Sequence, residues 1–159
     1  MSATGNQTAE TQEPFAGRKR ILLLVIAVLA FAGVVVSAVS LERHYAKSAT
    51  AFCDFGQKFD CDIVNRSEYS TVMGIPVAGI GLVGYGVLLV LATRYRSQPE
   101  TPLRLLVAAA AGLAFALYLS YVEGYVLGTW CILCLSSLGL IAGITLLAGI
   151  VKARAFIPG

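Results

Sequence analysis

Residues 131–151 have the sequence CILCLSSLGLIAGITLLAGIV, a stretch without any charged side chain that opens with two cysteines. A helix of that length rises about 30 Å at roughly 1.5 Å per residue, which matches the hydrocarbon thickness of a bilayer. The stretch therefore predicts a transmembrane helix that carries a Cys-x-x-Cys pair at its N-terminal end.

Three further apolar stretches of similar length lie upstream, and Arg104 is the one charged residue within them. Charged residues make up 13% of the 159-residue chain, about half the share in a soluble domain. We therefore predict an all-α membrane protein, a four-transmembrane-helix bundle with spans at about 21–41, 74–93, 103–122 and 131–151. The first span is too long for the apolar core of a secretory signal peptide. Residues 1–17 are predicted to be a disordered tail, and 18–154 a single domain with an outer capping loop at 42–73.

The basic residues indicate how this bundle is oriented. Eight of the twelve lysines and arginines fall on one predicted side of the membrane, which the positive-inside rule makes cytoplasmic. Both termini are then cytoplasmic, and all four cysteines face the oxidising side. Cys53 and Cys61 lie in the outer loop, whereas Cys131 and Cys134 begin the last span.

The two cysteine pairs differ in their chemical surroundings. An open helix N-terminus favours a thiolate at Cys131 and Cys134, because its free N–H groups and its dipole stabilise negative charge. Cys61 is flanked by Asp60 and Asp62, whose carboxylates disfavour a further negative charge. Such an inequality allows electrons to pass by thiol–disulfide exchange from the loop pair to the pair at the membrane edge.

Two alternatives remain for the cysteines. They could form static disulfides in a non-enzymatic membrane protein, as is common in oxidising compartments, although a Cys-x-x-Cys disulfide closes too small a loop to add much stability. They could also bind zinc, but the spacing between Cys53 and Cys61 is wider than that of a usual zinc knuckle. We therefore predict no metal site.

The pattern as a whole resembles the vitamin K epoxide reductase family in its bacterial form. The resemblance rests on Cys53-x7-Cys61-Asp62-Ile63-Val64-Asn65-x-Ser67, on Gly74-Ile75-Pro76 at a helix start, and on Cys131-x-x-Cys134 opening the last helix. It implies a thiol:quinone oxidoreductase of the bacterial inner membrane, with several membrane passes and an active site that faces the periplasm.

The resemblance also implies roles for individual residues. Cys53 and Cys61 match the family's loop shuttle pair, and Cys131 and Cys134 match its active-site pair, with Cys61 exchanging with Cys131 and Cys134 facing the quinone. Ser67 matches a serine near the quinone pocket. The implied cofactor is a quinone, either menaquinone or ubiquinone. The implied electron donor is a periplasmic thioredoxin-like protein, expected to be separate because this chain ends at Gly159.

Two departures from the animal members of the family limit the activity that the resemblance implies, and one other family has similar chemistry. Animal members carry a quinone-contacting tyrosine where this chain has Leu138, and their pocket asparagine has no obvious counterpart before Gly74-Ile75-Pro76, so epoxide reduction is not predicted. The disulfide bond formation protein B family is a four-helix oxidase too, but its Cys-x-x-Cys lies in the first outer loop and its spaced pair in the second. The cysteine order here is the reverse.

Several other features are weaker signals. Glu123 lies at the outer end of the third span, where it could either relay protons or simply face water. His44 is expected to be an inert surface residue. The letters G-x-G-x-x-G occur at residues 79–84, but inside an apolar span, where small residues indicate close helix packing and could also admit a flat quinone ring. The short basic clusters are explained by topology, so no nucleic-acid binding is predicted.

Overall fold

A computed structural model of the chain describes residues 13–45, 56, 58–95 and 97–156. Helices make up most of this described part. Long helices are α1 (Glu13–Tyr45), α3 (Val77–Thr93), α4 (Thr101–Tyr121) and α5 (Ile132–Phe156), and shorter elements are α2 (Cys61–Arg66), a 3₁₀ turn (Glu68–Ser70), strands β1 (Thr71–Val72) and β2 (Ile75–Pro76), and a π-helical turn (Val122–Leu127). Cys53 lies outside the described residues.

Three helical segments are long and apolar enough to cross a membrane, namely Gly17–Tyr45, Thr101–Leu127 and Ile132–Phe156. The fourth apolar helix, α3, has 17 residues and a length of about 26 Å, at the short end of what crosses a bilayer. Each of the four predicted spans overlaps one of these helices. The prediction of an all-α, multi-pass membrane protein is therefore confirmed. Within the described residues, the one departure from helical structure in named elements is a hairpin of two strands of two residues each.

The helix boundaries differ from the predicted ones for local reasons. Helix α1 begins at Glu13, so residues 13–17 of the predicted tail are helical. Helix α3 begins at Val77 and not at Gly74, because Met73 and Gly74 have positive φ values of 53° and 82° and turn the chain between β1 and β2. The third predicted span continues beyond Tyr121 through the π-helical turn to Leu127.

The core of the bundle lies where the four long helices meet. Its fully buried members include Ile26 and Ala30 of α1, Leu105 of α4 and Ile144 of α5. Helix α3 contributes Tyr85, whose ring lies so close to Gly33 of α1 that any side chain on Gly33 would overlap it. The glycine thus sets how closely α1 and α3 approach.

This close approach gives a test of the packing. A Cβ at Gly33 would overlap the Tyr85 ring, so Gly33→Ala must displace the ring or the helix, a kind of overpacking that costs about 1–3 kcal/mol. We expect a lower midpoint of thermal unfolding in detergent. Gly86→Ala is the matched control, because a Cβ there meets no atom within 4 Å. Equal midpoints for the two variants would contradict the described packing.

Candidate functional site: a buried thiol cluster beside an apolar pocket

A short backbone bridge holds the two cysteine-bearing segments together at one end of the bundle. Phe59 and Trp130 pair in parallel. The Asp60 amide donates to the Trp130 carbonyl at 3.2 Å, and the Trp130 amide donates to the Lys58 carbonyl at 2.9 Å. Because Cys131 directly follows Trp130 and Cys61 directly follows Asp60, whose amide bonds to Trp130, the bridge brings the two cysteines close together.

Helix α2 begins at Cys61 because Asp60 caps it. One carboxylate oxygen of Asp60 accepts from the amides of Asp62 and Ile63 at 2.9 and 3.0 Å, satisfying two of the free N–H groups of the first turn. The cap fixes the direction in which α2 leaves the bridge. Asp60 therefore has a structural role next to Cys61 that the sequence analysis did not assign.

Three cysteines form one cluster. Cys61 and Cys131 have no solvent-exposed surface, and Cys134 is partly buried. The Cys131 side chain makes hydrogen bonds with both Cys61 and Cys134. The structure thus brings Cys61, Cys131 and Cys134 together, as the resemblance implies, while the place of Cys53 remains a prediction.

The surroundings of Cys131 differ from the open helix end that would favour a thiolate. Cys131 precedes α5 by one residue and is completely buried. Its side chain contacts those of Cys61 and Cys134 inside the protein. The condition behind the thiolate expectation, an open helix end, is therefore not met at Cys131.

Asn65 connects the thiol cluster to α1. Its side-chain oxygen accepts from the Ser40 hydroxyl at 2.8 Å, and its Nδ2 donates to the Cys61 carbonyl at 2.9 Å and lies 4.0 Å from the Cys131 sulfur. Its backbone oxygen lies 2.5 Å from Nδ1 of His44. This buried network fixes α2, and with it Cys61, against the end of α1.

A cavity of about 440 Å³ extends from the thiol cluster into the bundle. It is lined by a few polar groups and otherwise mostly by aliphatic and small residues of α1, α3, α4 and α5. The polar lining includes Ser40, His44, Asn65, Ser67, Ser70, Glu123 and Cys134. Deeper in the cavity, the Tyr85 hydroxyl hydrogen-bonds to the carbonyl and the hydroxyl of Ser137 at 2.8 and 2.9 Å.

This cavity fits a quinone ring. Its volume falls within the range of roughly 300–1,000 Å³ that is typical of small-molecule pockets, and its mixture of apolar walls with few polar groups is also typical. Gly81 and Gly84 of α3 line it, so part of the G-x-G-x-x-G run forms a wall without side chains. Of the three cysteines that the structure describes, Cys134 alone borders the cavity.

Ser67 and several residues given no role from sequence also line the cavity. The Ser67 hydroxyl donates to the Val64 carbonyl at 2.8 Å, so in this arrangement its proton serves the end of α2. Asn65, Ser40 and Tyr85 were missed, and His44 was expected to be inert. A signal did exist in α1, because Ser37, Ser40 and His44 recur at spacings of three and four, which places them on one helix face.

Together these features define a class of protein: a multi-pass membrane protein in which a buried thiol cluster opens onto an apolar pocket. The family model described as the vitamin K epoxide reductase family matches residues 24–148. The chain belongs to this family, and the resemblance found in the sequence is confirmed. Membership in this family supports a general activity, that of a quinone-linked thiol oxidoreductase.

Proposed function

We propose that the protein is a thiol:quinone oxidoreductase that reoxidises a periplasmic thioredoxin-like protein and thereby supports disulfide formation in secreted proteins. One observation carries the proposal: the Cys131 side chain contacts both Cys61 and Cys134, and Cys134 also borders the apolar cavity. A continuous path of sulfur atoms therefore joins the loop to the pocket. Two static disulfides would not require contact between the pairs.

The relay that we propose consists of two thiol–disulfide exchanges. A thiolate of the donor attacks Cys53 of a Cys53–Cys61 disulfide, and the second donor thiolate resolves the mixed disulfide, so that the donor is oxidised and the loop pair reduced. Cys61 then attacks Cys131 of a Cys131–Cys134 disulfide, and Cys134 leaves with the electron pair. Cys53 attacks Cys61, which restores the loop disulfide and frees Cys131.

The electron acceptor that we propose is a membrane quinone, menaquinone or ubiquinone, which supplies a two-electron sink when bound. Cys134 would hold its reactive sulfur against the ring, and the aliphatic walls would exclude water from it. The hydroxyls and His44 of the polar lining would orient the ring oxygens. Ser67 can take part if its hydroxyl turns away from the Val64 carbonyl.

The proposed location is the bacterial inner membrane, with both termini in the cytoplasm and the thiol cluster at the periplasmic side. The distribution of lysine and arginine supports this orientation. The same orientation puts the predicted outer loop on the side of a periplasmic donor. The donor itself is proposed from the family resemblance.

Trapping the Cys61–Cys131 link tests the relay. In the double variant Cys53→Ala/Cys134→Ala these two cysteines remain, and mild oxidation should join them in most molecules because their side chains already touch. Intact mass spectrometry after alkylation under denaturing conditions would show a protein that has lost two hydrogens and takes up no alkylating reagent.

The matched control is Cys53→Ala/Cys131→Ala, which leaves Cys61 and Cys134 and should form the link more slowly. If Cys61 and Cys131 both stay open to alkylation under the same oxidation, the relay is wrong and static disulfides become the better account. Reduction with dithiothreitol before alkylation should restore two labelled thiols in the linked protein.

A further inference from the structure

Glu123 is a buried carboxylate at the junction of the thiols and the pocket. It lies in the π-helical turn Val122–Leu127, and 2% of its surface is exposed. The turn ends at Gly128 with φ of 63°, and the Glu123 backbone oxygen accepts from the Thr129 amide at 3.2 Å. This local geometry directs the chain back toward Cys131 and holds Glu123 inside the bundle.

The carboxyl group touches both members of the Cys-x-x-Cys pair. Its Oε2 accepts from the Cys131 amide at 3.2 Å, and its side chain hydrogen-bonds with the Cys134 thiol. Glu123 also lines the cavity beside Cys134. A group in these positions can take a proton from Cys134 and present it to a molecule in the pocket without moving the backbone.

No lysine or arginine lines the described cavity, so no fixed cation there offsets the buried carboxylate. The titratable groups that face Glu123 are the thiols of Cys131 and Cys134, with Cys61 of α2 behind Cys131. The other titratable groups that line the cavity are His44 of α1, Tyr69 after α2, and Tyr85 of α3. Glu123 is the one carboxylate among the described residues that line the cavity. Buried ionisable groups within a membrane bundle commonly take part in the function of the protein.

We infer that Glu123 is the catalytic acid–base of the quinone site, carrying each thiol proton to the ring oxygens. This inference rests on the proposed thiol:quinone function. Glu123 takes the proton of Cys134 while the Cys134 sulfur bonds to the ring, and returns it to the oxygen that receives the electron pair. When the Cys131 sulfur bonds to Cys134 and the sulfur–ring bond breaks, Glu123 carries the Cys131 proton to the second oxygen.

The atoms and electrons of these steps balance. The dithiol loses two protons and one electron pair and becomes the Cys131–Cys134 disulfide, while the quinone gains both and becomes the hydroquinone. No additional proton donor is required. The side chain of Glu123 ends the reaction in the state in which it began, as a catalyst must.

The test uses the full-length protein with Glu123→Gln, which keeps the size of the side chain and an acceptor for the Cys131 amide. In a single turnover of pre-reduced protein with quinone, we expect hydroquinone formation to slow about 100-fold, the lower end of what a positioned acid–base contributes. Glu123→Asp should recover part of the rate. The control is Glu100→Gln, which removes an exposed carboxylate paired with Arg104 and should leave the rate unchanged.

A spectroscopic measurement separates proton transfer from mere charge or structure. In a Cys131→Ala background with bound quinone, Glu123→Gln removes the carboxylate that takes the Cys134 proton, so the thiolate–quinone absorbance should appear only at higher pH and then reach its full strength. Full absorbance at high pH together with slower turnover supports the inference. An undiminished turnover rate overturns it, and so does loss of the absorbance at every pH, which would indicate a structural role.

Failure of the proposed function gives a different result. If pre-reduced wild-type protein does not reduce quinone, the thiol:quinone assignment itself is wrong. If the wild type and Glu123→Gln reduce quinone at equal rates, the assignment stands and Glu123 is not the proton carrier.

Discussion

Replacing Cys134 with alanine is expected to abolish quinone reduction in purified membranes that receive dithiothreitol as the electron donor. Among the three cysteines that the structure describes, Cys134 alone borders the cavity, whereas Cys131 is fully buried. Without the Cys134 sulfur, no thiol reaches the ring and the final disulfide cannot form. We expect the rate to fall on the order of 10³-fold or more, as for the loss of other covalent nucleophiles.

Ser136→Ala provides the matched control for this variant. Ser136 lies on the same helix, is exposed, and donates its hydroxyl proton to the Ile132 carbonyl at 2.7 Å, away from the cavity. It should retain the wild-type rate. Full activity of Cys134→Ala, with the protein present at normal amounts, would contradict the assignment of Cys134 as the residue that reduces the quinone.

Much of the architecture could be predicted because a bilayer imposes a simple rule on sequence. Charge-free stretches of about 20 residues must be helical in the hydrocarbon core, so the helices appear near their predicted positions. Their ends are decided by local turns that hydropathy does not report. The shift of the second helix start from Gly74 to Val77 comes from the two residues with positive φ and the strand pair around them.

The candidate site was only partly predictable for a different reason. The cysteines stand out in the sequence by residue type and spacing. Asn65 and Glu123 stand out in the structure because they are buried, and their burial depends on contacts between distant segments. The bridge between Phe59 and Trp130 joins the outer loop to the start of α5 through backbone groups, and no side-chain pattern encodes it. The thiolate expectation was made for an open helix end, whereas Cys131 is completely buried one residue before α5.

Replacing Cys131 with alanine is expected to stop turnover at the point where the reduced Cys134 meets the quinone. The variant retains the cavity, but Cys134 loses the partner with which it forms a disulfide. A thiolate held against a quinone ring donates electron density to it, so this variant should develop a long-wavelength charge-transfer absorbance. Wild-type protein, in which the disulfide forms and the hydroquinone leaves, should show little of it.

The absorbance spectrum of purified Cys131→Ala with bound quinone is therefore the most direct test of the central claim that Cys134 delivers electrons to a quinone in this cavity. Extraction and quantification of the quinone confirm that the site is loaded, and Cys131→Ala/Cys134→Ala serves as the control. Our account predicts a long-wavelength band in the single variant that is absent from the double variant. A loaded single variant without that band, or a band of equal strength in both, would contradict it.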